Sequence, residues 1–253
     1  MTEMRQSEAE SRIQEESILV LLFESMDWDL RTLCAAASAS RRLNAVAKRV
    51  LWRRMCAHRA PRMAAALSAG FSGGWDAVGK LLVFCCGWEG STPNFRVARR
   101  SPGHVAGETR FSKTSGRSFL ARECREDVAY VSDPCEHGVG AAEGDLGVYR
   151  GVITGFRRSR TRACLVRRRA ELDGRVRCPY CGARVWSMTA ARLVPRAAAR
   201  RLGCRDGALE YFVCVNGHLH GTCWLLPLSS DGEDEEGGGD GDGGGGGGGG
   251  GGG

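Results

Sequence analysis

Two short stretches near the end of the sequence hold closely spaced metal-ligating side chains. CPYCG places Cys178 and Cys181 on either side of two residues, with Gly182 behind them, and CVNGHLHGTC offers Cys214, His218, His220 and Cys223. Two thiolates on one tight turn can take neighbouring corners of a tetrahedron, and a glycine lets the backbone bend beneath the ion. Cys214 and His218, with Gly217 inside the turn, suit the second half. The expected ligand set is therefore Cys178, Cys181, Cys214 and His218, with His220 and Cys223 as alternates. Four protein donors leave no corner for water or substrate, so a zinc ion held there is structural. Its binding, on the order of 10 kcal/mol, exceeds the whole net stability of many small domains. A redox dithiol is one competing chemistry for CPYCG, but no thioredoxin-like βαβ pattern surrounds it. Buried thiols beside a surface histidine pair are the other.

The elements that must position these residues are partly legible. TAARLVPRAAARRLG reads as helical with a break at Pro195, and ALEYFVC enters the second turn as a strand. DVAYVS and GVYRGVITGF are short, β-branched and aromatic, bounded by Gly and Asp, which predicts strands. TRACLVRRRAEL alternates poorly, and LDGRV reads as a turn into the cysteine pair. DPCEHG brings Cys135, Glu136 and His137 together, a half-site that Cys124 or Cys164 could complete. No second C-x-x-C accompanies it, and it is read as a loop outside the metal set. Residues 92–116, rich in Ser, Pro, Gly and Arg, read as an exposed loop region. RMAAALSAG and WDAVGKLLVFCCG read as helices closed by Gly70 and Gly87.

The front of the chain is of another kind. Between residues 16 and 60, apolar residues recur with helical spacing three times. Leu30, Leu33, Cys34 and Ala37 follow Asp29, a fitting N-cap; Leu43, Val46, Ala47, Val50 and Leu51 follow Ser40; Trp52, Met55 and Cys56 extend that helix towards Pro61. Upstream, Ile18, Leu19, Leu22, Phe23 and Met26 put apolar side chains on more than one side of their helix. Such a helix must be covered on each side, either by later parts of the chain or by a partner. Periodicity alone favours the chain itself.

Composition bounds the rest. The chain has 253 residues, 42% of them hydrophobic, enough to bury a core. From Ser229 onward the acidic, glycine-rich tail lacks apolar area and is expected to be disordered, as are residues 1–15. Setting aside the seven acidic residues of the tail turns the net charge of +7 into +14. That surplus favours an acidic partner, a nucleic acid or a nuclear-import receptor. No secretory signal opens the sequence, and no apolar run approaches the length of a membrane span, so a soluble intracellular protein is expected. In a reducing compartment 12 cysteines point to metal ligands or small buried hydrophobes rather than disulfides.

The order of apolar helix, DWDLRTLCAAASASRRLNAVA and LWRRM resembles the F-box. WDLRTLC, HRAPRM, DPCEHG, CPYCGARVWSMTAARLVP and DGALEYFVCVNGHLHGTCWL extend the resemblance to one plant family, the F-box proteins named from the German for hypersensitivity to far-red light (EID). The resemblance implies a non-catalytic substrate receptor of an SCF-type cullin-RING ubiquitin ligase, nuclear, acting in phytochrome A or hormone signalling. It implies docking on a Skp-type adaptor, and through it on cullin and RING subunits, with Ile18, Leu19, Leu22, Phe23, Leu30, Leu33 and Trp52 forming or supporting the docking surface. Many F-boxes open with Leu-Pro; here EES precedes Ile18, which shifts the expected contacts.

The fold class expected is then α+β: a disordered terminus at 1–15, a helical F-box bundle at 16–60, a mixed α/β substrate-receptor region at 61–228 containing a zinc-ribbon-like module at 175–226, and a disordered tail at 229–253. A zinc-ribbon nucleic-acid-binding regulator is the alternative, drawing on the basic clusters at Arg157 to Arg162, Arg167 to Arg169 and RAAARR. Those clusters lack the interleaved aromatics of a single-strand binder, and nucleic acid is not the expected partner. No G-x-S-x-G elbow, P-loop or H-E-x-x-H motif supports an enzyme.

Overall fold

The computed structural model describes residues 2–68, 73–85, 104–105, 110–115, 120–138, 145–194 and 209–224. Helix α1 spans Thr2–Ser25. It therefore runs through residues 2–15 of the stretch where the sequence suggests disorder; that stretch contains no proline or glycine and is dense in the good helix formers Glu, Gln and Arg. The turn after α1 holds Asp27 and Trp28 at positive φ (50° and 54°). Left-handed backbone costs a non-glycine residue roughly 1–2 kcal/mol. Burial of the Trp28 ring, stacked on Phe23 with 6.1 Å between centroids, opposes that cost.

Helix α2 (Leu30–Ala39) starts where Asp29 accepts from the Thr32 amide at 2.8 Å, and α3 (Arg41–Val46) where Ser40 accepts from the Leu43 amide at 3.1 Å. Both caps are those the sequence indicates. Hydrogen bonds from the Thr32 side chain and backbone hold the Asp29 carboxyl below its ordinary pKa. A π turn, Ala47–Leu51, leads without a break into α4 (Trp52–Arg59). Pro61 does double duty, since it also begins α5 (Pro61–Ser68), where its missing amide costs nothing.

Helix α6 (Trp75–Val83) buries Ala77, Val78, Gly79, Leu81, Leu82 and Val83. Gly79 is required by packing: a Cβ there would enter the Trp52 ring. The helix does not reach Gly87, which lies outside the described residues. It stops at Val83, and Phe84–Cys85 turn extended as strand β1, paired with β2 (His104–Val105). β-branched and aromatic side chains there favour the ladder over another helical turn.

The second half is an antiparallel sheet of eight strands. Along it stand β3 (Phe111–Ser115), β4 (Val128–Ser132), β6 (Asp145–Ile153), β10 (His218–Trp224), β9 (Glu210–Cys214), β8 (Arg184–Ser187) and β7 (Leu172–Arg177), while β5 (Cys135–Gly138) shares with β4 the outer side of β6. Alternation divides each strand between two cores. Tyr130, Val152, Val185, Phe212 and Cys214 join the helices in one cluster. Ala129, Val131, Tyr149, Ile153, Tyr211, Val213 and Leu219 face the other, which α7 (Arg160–Arg167) covers through Cys164 and Leu165. The fold is α+β.

Three local expectations are corrected. Part of the presumed 92–116 loop is the polar strand β3, paired along its length with β4. RTRACLVR is helical, because Asp127 accepts from the Arg160 and Thr161 amides at its first turn (2.9 and 2.7 Å) and Ser159 caps it. LDGRVR is strand β7, yet the turn signal is real: the Asp173 carboxylate accepts from the Arg175 and Val176 amides (2.8 and 2.7 Å), where the register with β8 shifts. Of TAARLVPRAAARRLG, the described part ends in turns before Pro195, and the remainder lies outside the described residues.

One glycine in β10 tests this packing. Tyr149 Oη donates to the Glu210 carbonyl at 2.6 Å directly over Gly221, and any Cβ at 221 would collide with both. Gly221→Ala is expected to destabilise the fold by about 3 kcal/mol or more, whereas Gly174→Ala, whose Cβ meets open space, stays near wild type. Urea denaturation of the two variants measures the contrast.

Candidate functional site

The first knuckle is the tip of the β7–β8 hairpin. Cys178 donates its amide to the Ala183 carbonyl (2.9 Å) and accepts from the Gly182 amide (2.8 Å), with Gly182 at φ 69°. The second is the tip of the β9–β10 hairpin, where the Gly217 amide reaches the Cys214 carbonyl at 2.8 Å and Gly217 sits at φ 90°. Strand pairing of β8 with β9 lays the tips side by side.

All four expected donors converge, their ligand atoms within 4.8 Å of one another. Cys181 Sγ lies 3.8 Å from Cys214 Sγ, and His218 Nδ1 lies 3.4 and 3.7 Å from the sulfurs of Cys214 and Cys178. A tetrahedral ion with metal–sulfur bonds of about 2.3 Å and metal–nitrogen bonds of about 2.0 Å needs edges of about 3.8 and 3.5 Å, so the donor set fits such an ion. Amides of Asn216 and His218 point at Cys214 Sγ (3.4 and 3.3 Å), and Asn216 Nδ2 at Cys181 Sγ (3.5 Å). These donors favour thiolate. Tyr180, fully buried, meets the His218 ring edge-on and fixes its plane.

Three clustered thiols cannot all ionise without a cation between them. Hydrogen bonds from Cys178 and Cys214 hold the Cys181 pKa far below the ordinary thiol range. Cys178 is pushed far up, first by its bonds to Cys181 and Cys214 and then by burial. For Cys214 the bond from Cys178 favours ionisation, but the bond to Cys181 and burial outweigh it and raise the pKa to about 12. A dication entering the cluster must displace the remaining thiol protons.

The alternates take no part. His220 is buried against Phe212, ring centroids 5.3 Å apart, and burial lowers its pKa to about 4. Cys223 points into the other core and donates to the Gly147 carbonyl at 3.6 Å. Cys135 and His137 lie on β5 rather than in a loop, and neither Cys124 nor Cys164 joins them. Cys124 is buried in the core that α7 covers, and Cys164 lies on α7 itself, beside Glu123.

The residues assigned to docking divide by burial. Ile18 and Leu22 are exposed at 64% and 50%, Leu19 and Leu30 are half-buried, and Phe23, Leu33 and Trp52 are core. Leu21, 65% exposed, belongs with Ile18 and Leu22 as an i+3 neighbour, which the helical spacing could have signalled. Among the described residues, no later segment covers this ridge of α1.

The family model for the EID1-like F-box protein 2 C-terminal domain matches residues 92–224. EID1-like F-box protein 3 of Arabidopsis thaliana is 61% identical over 229 residues, spanning 88% of this chain and 84% of its own. The chain belongs to the EID1-like F-box proteins. EID1-like F-box proteins 1 and 2 of the same plant are 42% and 40% identical, each over 87% of this chain and over 75% and 90% of their own lengths. No solved structure matches the sequence. In this EID1-like F-box chain the exposed ridge on α1 lies ahead of the region the family model covers, and both knuckles lie within it.

Cys181→Ser is expected to remove the ion held between the knuckles and to lower thermal stability; elemental analysis and circular dichroism of the purified full chain check both. Because protons compete for the thiolates, the wild type should release that ion as the pH falls and retain it as the pH rises.

Proposed function

We propose that this chain is the substrate-receptor subunit of an SCF-type cullin-RING ubiquitin ligase, docking on a Skp-type adaptor through α1. The observation that carries the proposal is the ridge of Ile18, Leu21 and Leu22, apolar side chains that the chain's own packing leaves in water. Phe23, Leu33 and Trp52 act from beneath as its support. The names of the relatives agree with an F-box role. Ubiquitin transfer itself falls to the partner subunits, and the receptor contributes position rather than bond-making.

In this reading the sheet region recognises the substrate, and the ion between the knuckles is structural zinc. The two hairpins it joins form a zinc-ribbon-like module, with every donor supplied by protein. The family resemblance carries the further proposal that the substrates are regulators of phytochrome A or hormone signalling and that the receptor acts in the nucleus, for which the basic surface suits import. Among the described residues no helix is long and apolar enough to cross a membrane.

Nucleic-acid binding is the weaker reading. Arg160 pairs with Glu126, Arg167 and Arg168 both pair with Glu123, and Arg168 also donates to the carbonyls of Ala191 and Arg192. These guanidiniums serve α7 and its surroundings instead of forming a row of cations for phosphates.

The test uses the full chain, because the core of residues 16–60 is shared with α5, α6 and the sheet. Leu22→Asp should fold like wild type yet lose capture by purified Skp-type adaptor by a factor of one hundred or more, since an unpaired carboxylate in an apolar contact costs about 3 kcal/mol or more. Val166→Asp, at an equally exposed apolar position on α7, should bind as wild type does. Adaptor binding by Leu22→Asp at wild-type strength would overturn the docking assignment.

A further inference from the structure

A second cluster of soft donors lies where the helices meet the sheet. Cys85 ends β1, the strand that follows α6, while Cys135 and His137 sit two apart on β5 and therefore share one face. Their ligand atoms lie within 4.8 Å of one another, and Cys85 Sγ stands 3.2 Å from His137 Nε2. Cys85 is fully buried; Cys135 and His137 are half-buried.

We propose that Cys85, Cys135 and His137 bind a second zinc ion, one that fastens the helical half to the sheet. Two thiolates and a neutral imidazole are a soft, charge-neutralising set for a zinc dication, and the separation of Cys85 from His137 is close to the edge of about 3.5 Å in a tetrahedral sulfur–nitrogen site. Binding breaks two S–H bonds and forms two Zn–S bonds, the protons passing to solvent, with no change of oxidation state. The fourth corner is left to water.

The neighbourhood explains why an ion is useful here. Among the described residues β5 pairs with β6, through four register pairs from Cys135↔Val148 to Gly138↔Asp145. β1 has the two-residue ladder with β2. Short ladders on both sides contribute little, and a metal cross-link between residues far apart in sequence removes much conformational freedom from the unfolded chain. The site is independent of the knuckles: Cys135 and His137 come from β5 and Cys85 from β1, none of which contributes to the first ion. It also does not rest on adaptor docking, so either reading can fail alone.

Elemental analysis of the full chain, purified without a metal-binding tag and under reducing conditions, decides the matter. Wild type should carry two zinc ions per chain, Cys181→Ser one, Cys135→Ser one, and the double variant none. Cobalt loaded into Cys181→Ser, which keeps only the second site, should show sulfur-to-cobalt charge transfer and the visible bands of a tetrahedral ion. Where Cys135→Ser does not accumulate as soluble protein, His137→Cys replaces it: retaining a soft donor, it should remain soluble and hold two zinc ions. A single zinc in wild type, unchanged stoichiometry in Cys135→Ser, one zinc in His137→Cys, or a Cys85–Cys135 disulfide found by mass mapping would each overturn the proposal.

Discussion

Helix α6 is the part on which both halves depend. Nearly every side of it is apolar, and Val78, Leu81, Leu82 and Val83 are all buried, each worth about 1.5–3 kcal/mol by area. One side presses on α4, close enough that only glycine fits against Trp52. The other meets the sheet. Without the sheet the helix would expose a continuous apolar surface, and without the helix the F-box core would lose one wall. The front of the chain is therefore not a separate bundle carrying a passenger, and the two halves are expected to unfold together.

The end of α6 shows how polar groups are reconciled with that burial. Arg150, almost fully buried on β6, donates through Nη2 to the Leu82 carbonyl at 3.3 Å and lies over the Phe111 ring at 5.9 Å. A cation at a helix C-terminus meets the negative end of the backbone dipoles, and an aromatic face offers partial compensation for the lost water. Tyr130 makes the parallel connection from β4, donating to the Arg62 carbonyl of α5 at 3.2 Å. Both contacts use main-chain acceptors at helix positions, and so fix the orientation of helix against sheet.

What could be read in the sequence follows the range of the signal. The knuckles are local: Cys178 with Cys181 and Cys214 with His218 each sit on one turn whose glycine announces it, and the four donors were legible as a set. Cys85 belongs to a different part of the chain from Cys135 and His137, and the spacing of the latter two is that of a strand, which carries no metal signature. Helix α7 was hidden for another reason. Its buried residues Thr161, Cys164 and Leu165 have helical spacing, but arginines crowd the intervening positions, and the cap comes partly from Asp127, distant in sequence. Strand β3, FSKTS, is polar because it lies at the sheet's edge with its outer side open. The open ridge of α1 is a difference between two faces of one helix; the repeat of apolar residues shows both faces, but only the packing of α2 to α6 shows which is left over.

For a substrate receptor, this continuity has a mechanical meaning. Transfer to a substrate lysine by subunits elsewhere in the complex is a question of proximity and orientation, and a flexible joint would dilute both. Here α4 ends at Arg59 and α5 begins at Pro61, leaving Ala60 as the whole connection, and the apolar core runs on from Leu33 and Trp52 to Val152, Phe212 and Cys214 without interruption. The sheet is thereby held at a fixed angle to the exposed ridge of α1. In the proposed reading an ion between the knuckles would stiffen the β7 to β10 end of this path, and an ion between β1 and β5 its joint with α6. Both would reinforce places where the ladders are short, and so keep the distance from ridge to sheet constant.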